Sequence, residues 1–526
     1  MVSAYTGTQI RAAERPLLQG GGGPALMARA AHGLALAVVG ELKRRGGVYG
    51  GRVAAVVGKG NNGGDALFAL AELARRGVRA TAVLTGTTAH AEGLAAFTAA
   101  GGRITDGLEP ADVVIDAVLG TGFTGEFVSP LPRPHATVIA CDLPSGVDGD
   151  TGLASPGVWR ADVTVTFGAL KTGLLVGRGR ALAGRVEIVD IGLRPYLREP
   201  DVRSLDAADA AALLPVPRDD WHKYSRGVLG LVAGSEDYPG AAVLATAGAL
   251  ATGVGMVRLV APDAVRALVL AAHPEIVGSA EPRGRVQAWA VGPGIADDDA
   301  QRRALATALG SGLPTVVDAS GLEALGELLA ADHGSGRRAT EPRLAEILDR
   351  LAEDGSVAGE RLVLTPHAGE LSRILANFVS DSPDRAAIES EPLRWAREAA
   401  ERLGVTVLLK GPATVCAAPD GTAFIQAEGD PYLATAGSGD TLTGILGALL
   451  ATASGSGAHD AARPVELAAL AAYIHQTAGR IAAERGPYGA GQLADAVREA
   501  LAQVVWRATK GLSDEAGPQN RGPASR

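Results

Sequence analysis

Residues 52–65, RVAAVVGKGNNGGD, combine an apolar run with a glycine-rich loop that ends in an aspartate. The run Arg52–Val57 is almost wholly apolar, as a strand buried on both faces of a parallel sheet should be. The loop Gly58–Asp65 follows at once and leads into a helical stretch, Asp65–Arg76. This order of strand, glycine-rich loop and helix predicts a doubly wound α/β domain, in which ligands bind where the strands end.

The loop Gly58–Asp65 contains the G-x-G-x-x-G spacing of dinucleotide-binding loops. The acidic residue expected about 20 positions later in such proteins is missing, because the next apolar run ends at Leu84-Thr85-Gly86. A P-loop is excluded by the absence of the Gly-Lys-Ser/Thr ending. The loop therefore offers the side-chain amides of Asn61 and Asn62 and the carboxylate of Asp65, a set suited to a phosphate-bearing ligand with or without a cation.

Further apolar runs continue the same rhythm up to about residue 190, with helical stretches between the earlier ones. Residues 1–46 have a helical pattern that is interrupted at Gly20–Pro24. The additional predicted strands are Arg79–Leu84, Asp112–Ile115, Thr137–Cys141, Asp162–Phe167 and Arg185–Asp190.

A proline-punctuated polar stretch around residues 195–220 separates this series from a second α/β series. We therefore predict domains at residues 1–205 and 206–510, a surface insertion at 330–360 and a disordered tail at 511–526. The strands predicted in the second series are Val228–Ala233, Met256–Val260, Ala288–Val291, Thr315–Asp318, Arg361–Leu364, Val405–Leu409, Thr414–Ala417 and Thr422–Ile425.

Length and composition fit a large soluble protein. A chain of 526 residues exceeds one ordinary core, and 4% aromatic residues mean that Ala, Val and Leu must build the cores. A net charge of −9 without a basic stripe argues against nucleic acid as a partner. Cys141 and Cys416 lie in separate apolar runs and are expected to be reduced. No leader or 18-residue apolar run is evident, so we expect a cytoplasmic protein without membrane contact. Separately, we expect a homo-oligomer.

Two aspartates stand directly after predicted strands of the first domain. Asp116 precedes a glycine-rich loop that includes Gly120–Glu126, and Asp142 begins Asp142-Leu143-Pro144-Ser145-Gly146. Because the carboxyl ends of parallel strands share one edge of a sheet, these loops should meet the loop Gly58–Asp65. Asp, Asn and Ser oxygens would suit a hard cation rather than zinc.

In the second domain, residues 435–444 read TAGSGDTLTG before an Ala/Leu-rich helix. Glycines allow backbone N–H groups to approach a ligand closely, and a helix N-terminus attracts anions. Asp440 at the edge of such a pocket could accept a proton from a hydroxyl group. The pattern indicates phosphoryl chemistry on a small alcohol, although a capped helix start alone would have the same sequence.

The first 200 residues resemble the NAD(P)H-hydrate epimerase domain. The resemblance rests on Asn61-Asn62-Gly63-Gly64-Asp65, the loop after Asp116, Asp142-Leu143-Pro144-Ser145-Gly146, and the closing segments Phe167–Gly173 and Val189–Gly192. It implies a Rossmann-like fold, and Asp142 as the base or proton carrier at the hydrated nicotinamide carbon. The implied substrate contacts are Asn61, Asn62, Gly63, Gly64, Asp65, Gly120, Thr121, Gly122, Phe123, Thr124, Gly125, Glu126 and Asp142, and the implied K⁺ ligands are Asn62, Asp116 and Ser145.

Residues 222–509 resemble the companion NAD(P)H-hydrate dehydratase of ribokinase-like fold. The motifs are Thr365-Pro366-His367, Lys410-Gly411-Pro412-Ala413-Thr414 and Gly437-Ser438-Gly439-Asp440, after a matching opening segment at 223–255. The resemblance implies Mg²⁺ and ADP as phosphoryl donor. The nucleotide contacts that it implies are Lys410, Gly411, Pro412, Ala413, Thr414 and Gly439, and its contacts to the hydrate are Ala241, Gly294, His367 and the catalytic Asp440.

Together the two resemblances predict repair of hydrated nicotinamide cofactors, NADHX and NADPHX. One domain would interconvert the R and S epimers, and the other would dehydrate the S epimer with ADP, releasing AMP and phosphate. Two alternatives stay open on the residues alone. The second domain could be a ribokinase-like kinase of a small alcohol, and the first could be a binding module without catalysis.

Overall fold

The computed structural model describes residues 1–123, 125–333, 361–376, 382–455 and 462–510. Within these ranges the chain forms two compact units. One comprises Ser3–Val202, here called the N-terminal unit, and the other comprises residues 203 onward with Met1 and Val2, here called the C-terminal unit. The substrate contact predicted at Thr124, nearly all of the predicted insertion and the predicted tail lie outside the described residues.

A seven-stranded parallel sheet lies at the centre of the N-terminal unit, in the order β4-β3-β2-β5-β6-β7-β9. Strands β1 and β8 are not part of this seven-stranded sheet and pair with each other in parallel. The strands are β1 (Val2–Tyr5), β2 (Arg52–Val57), β3 (Arg79–Leu84), β4 (Arg103–Ile104), β5 (Val113–Ala117), β6 (Thr137–Cys141), β7 (Val163–Phe167), β8 (Leu170–Lys171) and β9 (Arg185–Val189). The helices are α1 (Gly7–Gln19), α2 (Gly23–Arg44), α3 (Asn61–Arg75), α4 (Ala91–Ala99) and α5 (Gly177–Ala183).

The strand order of this sheet defines where a ligand can bind. From β2 the chain moves outward through β3 to β4, whereas β5 lies on the other side of β2 and leads through β6 to β7 and β9. The crevice between β2 and β5 is therefore a topological switch point, the usual ligand position in open α/β sheets. The loops after these two strands carry Asn61, Asn62 and Gly120 to that crevice.

Two details of the N-terminal unit differ from the sequence prediction. Residues 2–5 form β1, not helix, because Ala4 and Tyr5 pair with the short strand β8. The amide-rich segment is not an extended loop, since α3 already begins at Asn61 and the amides form its first turn. The polar motif therefore presents helix N–H groups as well as side chains.

Helix α2 is the one described helix that is long and apolar enough to cross a membrane by length and composition alone. It packs against α3 and buries Leu34, Ala35 and Val38 completely. Burial of this kind is also what a core helix of a globular unit shows.

The C-terminal unit contains a larger sheet in the order β13-β12-β11-β14-β15-β16-β17-β18-β19-β10, parallel except that β18 is antiparallel to both neighbours. Its strands are β10 (Val202–Ser204), β11 (Val228–Val232), β12 (Met256–Val260), β13 (Val277–Ser279), β14 (Ala288–Val291), β15 (Thr315–Val317), β16 (Leu362–Leu364), β17 (Thr406–Leu409), β18 (Thr414–Ala417) and β19 (Ala423–Gln426). Its helices are α6 (Ala207–Leu213), α7 (Pro239–Ala251), α8 (Asp263–Ala272), α9 (Asp299–Leu309), α10 (Ser320–His333), α11 (Ala368–Ala376), α12 (Arg385–Ser390), α13 (Pro392–Leu403), α14 (Ser438–Gly455), α15 (Pro464–Ala483) and α16 (Leu493–Lys510).

Helix α14 is buried in the core of this unit and packs closely on α7. A Cβ at Gly444 would lie 2.0 Å from the carbonyl oxygen of Ala245, and one at Gly248 would lie 2.5 Å from that of Thr441. Glycine is required at both positions because the two backbones nearly touch. This contact fixes the first two turns of α14, and with them the segment around Asp440, against the middle and C-terminal half of α7.

The predicted α/β class of both units is confirmed. The predicted long strands match the observed ones within two residues at each end, whereas the short strands β4, β8, β10 and β13 were not predicted. Cys141 and Cys416 are buried and unpaired, as expected for reduced thiols.

Candidate active sites

A cavity of about 550 Å³ lies at the carboxyl ends of the N-terminal unit's strands. Most of the substrate contacts predicted for this unit meet there, together with residues that the sequence did not single out. The lining residues are Ile10, Arg11, Glu14, Lys59, Gly60, Asn61, Asn62, Asp65, Val118, Leu119, Gly120, Thr121, Gly122, Phe123, Asp142, Phe167 and Lys171.

Asp142 occupies a strained position at the end of β6. Its φ of +67° lies in the left-handed region, which a non-glycine residue seldom adopts, and such strain is typical of functional sites. One carboxylate oxygen accepts a hydrogen bond from Nζ of Lys171 at 2.6 Å, and the other accepts from the backbone N and the hydroxyl of Thr121. Burial would raise the pKa of Asp142, but the charge and hydrogen bond of Lys171 outweigh it and lower the pKa below its ordinary value. Asp142 is therefore held as an anion.

Lys171 is a functional candidate that sequence reasoning missed. Its side chain is 1% exposed, and Nζ also donates to the carbonyl oxygen of Phe167 at 2.7 Å. The available signal was a lysine in the otherwise uncharged closing segment Phe167–Gly173, because lysine is almost never fully buried without a partner. The pair Lys171–Asp142 fixes the direction of the carboxylate as well as its charge.

Asp65 faces the same cavity in a different electrostatic state. It lies in the first turns of α3 and is 8% exposed. Burial raises the pKa of Asp65 to about 8, and the negative charges of Asp142 and Glu14 add to that increase. Burial likewise raises the pKa of Glu14, which stands on α1 at the cavity wall. Among the carboxyls that line the cavity, Asp142 is thus held as an anion whereas Asp65 stays protonated near neutral pH.

The other predicted N-terminal contacts lie away from the cavity lining. Gly63 and Gly64 are buried inside α3, where a Cβ at Gly63 would lie 2.1 Å from the carbonyl oxygen of Gly58. Gly125 and Glu126 are not among the lining residues, although Gly125 adopts a φ of +113° in the same loop.

Of the predicted metal ligands, Asp116 and Ser145 are in direct contact, while Asn62 and Ser145 both donate to the carbonyl oxygen of Leu119. Asp116 is 4% exposed and accepts hydrogen bonds from Ser145 Oγ at 2.6 Å and from Ser145 N at 2.9 Å. Burial raises its pKa, and no ion pair to it is found among the described residues. The amide nitrogen of Asn62 donates to the carbonyl oxygen of Leu119 at 3.0 Å, and its Oδ1 lies 3.2 Å from the position that a Cβ at Gly120 would take.

In the C-terminal unit, the segment before α14 has the geometry of an anion site. Gly437 has a φ of +87°, and α14 begins at Ser438, three residues earlier than the sequence indicates. The first-turn N–H groups of a helix lack partners within that helix, and the helix dipole favours negative charge there. The N–H groups of Gly439 and Asp440 therefore stand at the position predicted to receive a phosphate.

Asp440 stands at this helix start beside a buried ion pair in which it does not take part. Nζ of Lys410 donates to Oδ1 of Asp318 at 2.6 Å, and the Thr443 hydroxyl donates to Oδ2 of Asp318 at 2.6 Å. Burial raises the pKa of Asp440 to about 6; repulsion by Asp318 adds to the increase and Lys410 opposes it. Near neutral pH Asp440 is largely ionised, with the pKa that suits a general base.

Lys410 sits among carboxylates at the anion site. A Cβ at Gly439 would lie 3.5 Å from its Nζ, so the ammonium group is adjacent to the start of α14. Burial would lower the pKa of Lys410, but Asp318 and Glu370 raise it above its ordinary value. The lysine therefore keeps its positive charge where a transferred phosphoryl group would carry negative charge.

His367 and Gly294 come from loops, and Ala241 comes from the first turn of α7, at the same edge of the sheet. His367 caps α11 through reciprocal hydrogen bonds with Glu370, and its side chain is 54% exposed. A Cβ at Gly294 would lie 2.7 Å from the Cβ of Ala241, so these two predicted contacts are neighbours. The next turn of α7 reaches Gly437, since a Cβ there would lie 2.3 Å from Leu244. The predicted hydrate contacts thus border the anion segment.

The predicted nucleotide segment Lys410–Thr414 forms the turn between β17 and β18. Lys410 N donates to the carbonyl oxygen of Pro366 at 2.8 Å, which joins this turn to the segment of His367. Thr414 begins β18 and is held by a hydrogen bond from the amide of Gln476 at 3.3 Å. Gly411, Pro412 and Ala413 lie between these anchors.

Asp318, Glu370 and His475 were not predicted as site residues. The side chain of His475 is buried, and its Nε2 lies 3.1 Å from the hydroxyl and 3.0 Å from the carbonyl oxygen of Ser438. Burial lowers the pKa of His475 to about 4, so the ring is neutral and fixes the anion segment by hydrogen bonding. Neither Asp318 nor His475 belongs to a short motif, so their roles depend on contacts distant in sequence.

Both units therefore place a buried aspartate–lysine pair at the carboxyl edge of a mainly parallel sheet, next to a helix N-terminus. These features are those of a two-domain α/β enzyme acting on small molecules, with a candidate proton-transfer site in one unit and a candidate phosphoryl site in the other.

Two family sequence models match the chain. The model described as NAD(P)H-hydrate dehydratase matches residues 229–338 and 345–502, and the one described as YjeF-related protein N-terminus matches residues 23–173. The bifunctional NAD(P)H-hydrate repair enzyme Nnr of Mycobacterium tuberculosis is 45% identical over 469 residues, covering 86% of this chain and 90% of its own. The enzyme of that name from Mycobacterium leprae is 41% identical over 517 residues, covering 95% and 99%.

Among solved structures, the ADP/ATP-dependent NAD(P)H-hydrate dehydratase of Bacillus subtilis, co-crystallised with ATP and Mg²⁺, is 26% identical. It covers 58% of this chain and 99% of its own, with a TM-score of 0.46. On the sequence relationships, the chain belongs to the family of bifunctional NAD(P)H-hydrate repair enzymes.

Proposed function

We propose that this chain repairs hydrated nicotinamide cofactors through two reactions, with the catalytic residues assigned below. The N-terminal unit interconverts the R and S epimers of NADHX and NADPHX, and the C-terminal unit dehydrates the S epimer with ADP. Family membership supports the pair of activities. The observation that supports the residue assignment most directly is Asp440, a carboxylate of pKa about 6 at the N-terminus of α14.

In the C-terminal unit, Asp440 removes the proton from the hydroxyl group of the hydrate. The alkoxide oxygen then attacks the terminal phosphoryl group of ADP, and AMP leaves. The lone pair of the ring nitrogen expels phosphate, and loss of a proton restores the dihydronicotinamide. Phosphorylation is needed because hydroxide is a poor leaving group. The first-turn N–H groups of α14 and the ammonium of Lys410 stabilise the charge on the transferred group.

The residues around Asp440 also fit Mg²⁺ in its usual mode. The described residues contain no cluster of three metal-ligating side chains, and both oxygens of Asp318 already accept hydrogen bonds. Mg²⁺ commonly binds through one or two carboxylates, water and substrate phosphates. The phosphate oxygens of the nucleotide and water would hold the ion beside Asp440, which stays free to act as the base, and the ion would neutralise charge on the phosphates.

In the N-terminal unit, Asp142 accepts a proton from the hydroxyl group at the hydrated ring carbon. Its negative charge, maintained by Lys171, and its fixed direction suit that role. Asn61, Asn62 and the residues Gly120–Phe123 line the space in which the nicotinamide and its phosphates would lie.

The cluster of Asn62, Asp116 and Ser145 fits a potassium ion. Asp116 is a buried carboxylate without a cationic partner among the described residues, and Asn62 Oδ1 is not used by the hydrogen bond of its amide nitrogen. Neutral and anionic oxygens of this kind suit a hard cation. A K⁺ ion would balance the charge of Asp116 and hold the loop after β5 against the start of α3.

An assay of the full chain with mixed R and S hydrates tests the proposal. With ADP, the absorbance of the reduced nicotinamide should return until both epimers are consumed, and phosphate and AMP should appear in equal amounts. Asp142→Asn should leave the R epimer behind, and Asp440→Asn should abolish recovery. A stable phosphorylated alcohol would show that the C-terminal unit is a kinase instead, and unchanged use of the R epimer by Asp142→Asn would contradict the epimerase assignment.

We further propose that NADHX, NADPHX and ADP are the small-molecule partners and that the protein is a cytoplasmic homo-oligomer. Size measurement by light scattering and fractionation of cells test these two points.

A further inference from the structure

One carboxyl group in the N-terminal cavity has no role in the chemistry described above. Asp65 is more than nine-tenths buried, lines the cavity beside Asn62 and Asp142, and has no hydrogen bond or ion pair with any described residue. Buried polar groups in native proteins nearly always have a partner. A buried carboxyl that lacks one and faces a ligand cavity is therefore expected to find its partner in the ligand.

Burial first, and the charged groups around the cavity after it, explain why Asp65 keeps its proton. The negative charges of Asp142 and Glu14 face it and disfavour a further anion. Lys171, the nearest buried cation, is committed to Asp142 and the carbonyl of Phe167. The remaining cations do not compensate, because Arg11 donates to Thr121 and Thr8, and Lys59 is exposed at the rim.

Epimerisation of the hydrate, as assigned under the proposed function on which this inference rests, requires two proton transfers. The hydrated carbon bears both a hydroxyl group and the ring nitrogen. When a base takes the hydroxyl proton, the carbon–oxygen bond becomes a carbonyl and the carbon–nitrogen bond breaks, its electron pair going to nitrogen. The nitrogen must then receive a proton from an acid. Rotation of the aldehyde and the reverse of these steps close the ring with the opposite configuration.

We propose that Asp65 is the acid partner of Asp142 in this reaction. Asp142 takes the hydroxyl proton while Asp65 gives its proton to the ring nitrogen, and both protons return when the ring closes on the other face. The two carboxyls lie at the ends of adjoining elements in one cavity, α3 and β6, and their environments keep one ionised and the other protonated. Such opposed pairs are how one site supplies an acid and a base at the same pH.

The test measures epimerisation in the full chain without nucleotide, so that dehydration cannot occur. An R-enriched hydrate is converted to S and both are separated by chromatography, with the spontaneous rate subtracted at each pH. Asp65→Asn, which keeps the shape of the side chain, should lower kcat about 100-fold or more with little change in KM. Asp65→Glu should restore part of the rate, because it restores an acid.

The pH profile separates a catalytic role from a structural one. In the wild type the rate should fall as pH rises through about 8, as Asp65 loses its proton, and this decline should be absent from Asp65→Asn. Glu14→Gln removes a neighbouring negative charge and should move the decline to lower pH without abolishing it.

The outcomes distinguish this inference from the proposed function. If the wild type does not convert R to S, the proposed epimerase activity fails. If the wild type is active but Asp65→Asn keeps its kcat and the same decline at high pH, the acid role of Asp65 is wrong and the epimerase assignment stands. Thermal unfolding of each variant confirms that it is folded. If the decline of the epimerisation rate at high pH does not shift in folded Glu14→Gln, the inference is also overturned.

Discussion

Each candidate active site contains a lysine–aspartate ion pair, but the candidate catalytic aspartate belongs to that pair in only one of them. In each, a buried lysine donates to an aspartate at 2.6 Å at the carboxyl edge of the sheet. In the N-terminal unit the partner of Lys171 is Asp142, the candidate catalytic group, and its pKa is lowered. In the C-terminal unit Lys410 pairs with Asp318, and Asp440 beside them has a pKa raised to about 6. A lysine therefore stabilises an anion in one site, whereas in the other burial, with a smaller contribution from a second aspartate, raises the pKa of the base.

The largest expected effect comes from removing the stronger base. Asp440→Asn should lower the rate of ADP-dependent dehydration about 100- to 10,000-fold, the usual contribution of a positioned proton acceptor. Recovery of reduced nicotinamide absorbance from the S hydrate measures it. Conversion of R to S by the same variant is the internal control, and dehydration at the wild-type rate would remove Asp440 from the mechanism.

The N-terminal pair should matter for stability as much as for chemistry. Lys171→Met leaves Asp142 as an unpaired buried charge, and breaking a buried ion pair in this way costs about 3–5 kcal/mol. Urea denaturation at pH 7 should show this loss in the N-terminal unit. The double variant Asp142→Asn/Lys171→Met should recover most of it, because no charge is then left alone. If both variants lose the same stability, the cost comes from packing and not from charge.

The C-terminal arrangement predicts a dependence of the dehydration rate on pH. Since Asp440 must be ionised to accept a proton, the rate should rise as pH rises through about 6 and then level off. Asp318→Asn removes the charge that raises this pKa and frees Lys410 to face Asp440, so the rise should move to lower pH. Measuring kcat from pH 5 to 8 tests this prediction. Thr443→Val is the matched control, because it removes a hydrogen bond to Asp318 but keeps the negative charge of Asp318.

The smallest effect is expected at the hydrogen bond between Ser438 and His475. Ser438→Ala removes the hydroxyl but keeps the carbonyl oxygen, to which the neutral ring can still donate. The free energy of unfolding should fall by about 1 kcal/mol or less, the net value of one hydrogen bond. Denaturation of the full chain gives this value, and a much larger loss would show that the hydroxyl is essential to the segment.

Much of the fold was predictable because parallel strands buried on both faces leave a strong apolar signal. The predicted strand Arg52–Val57 and the following glycine-rich motif match β2 and the start of α3. Short edge strands such as β4 and the pair β1–β8 carry too few residues for such a signal. The start of α14 at Ser438 was missed because glycine and serine disfavour helix interiors, while a first turn tolerates them.

The sequence by itself determined which loops carry the chemistry, since Asp116, Asp142, Lys410 and Asp440 each follow or flank an apolar strand or glycine-rich turn. The order of these motifs along the chain also pointed to the family. The tertiary structure alone decided the state of each group. Which aspartate a buried lysine contacts, and whether Asp65 stays protonated, depends on burial and on charges brought together from residues as distant as Glu14 and Lys171. Electrostatic energies follow distance in space and solvent exclusion, and neither is encoded in the local pattern of residues.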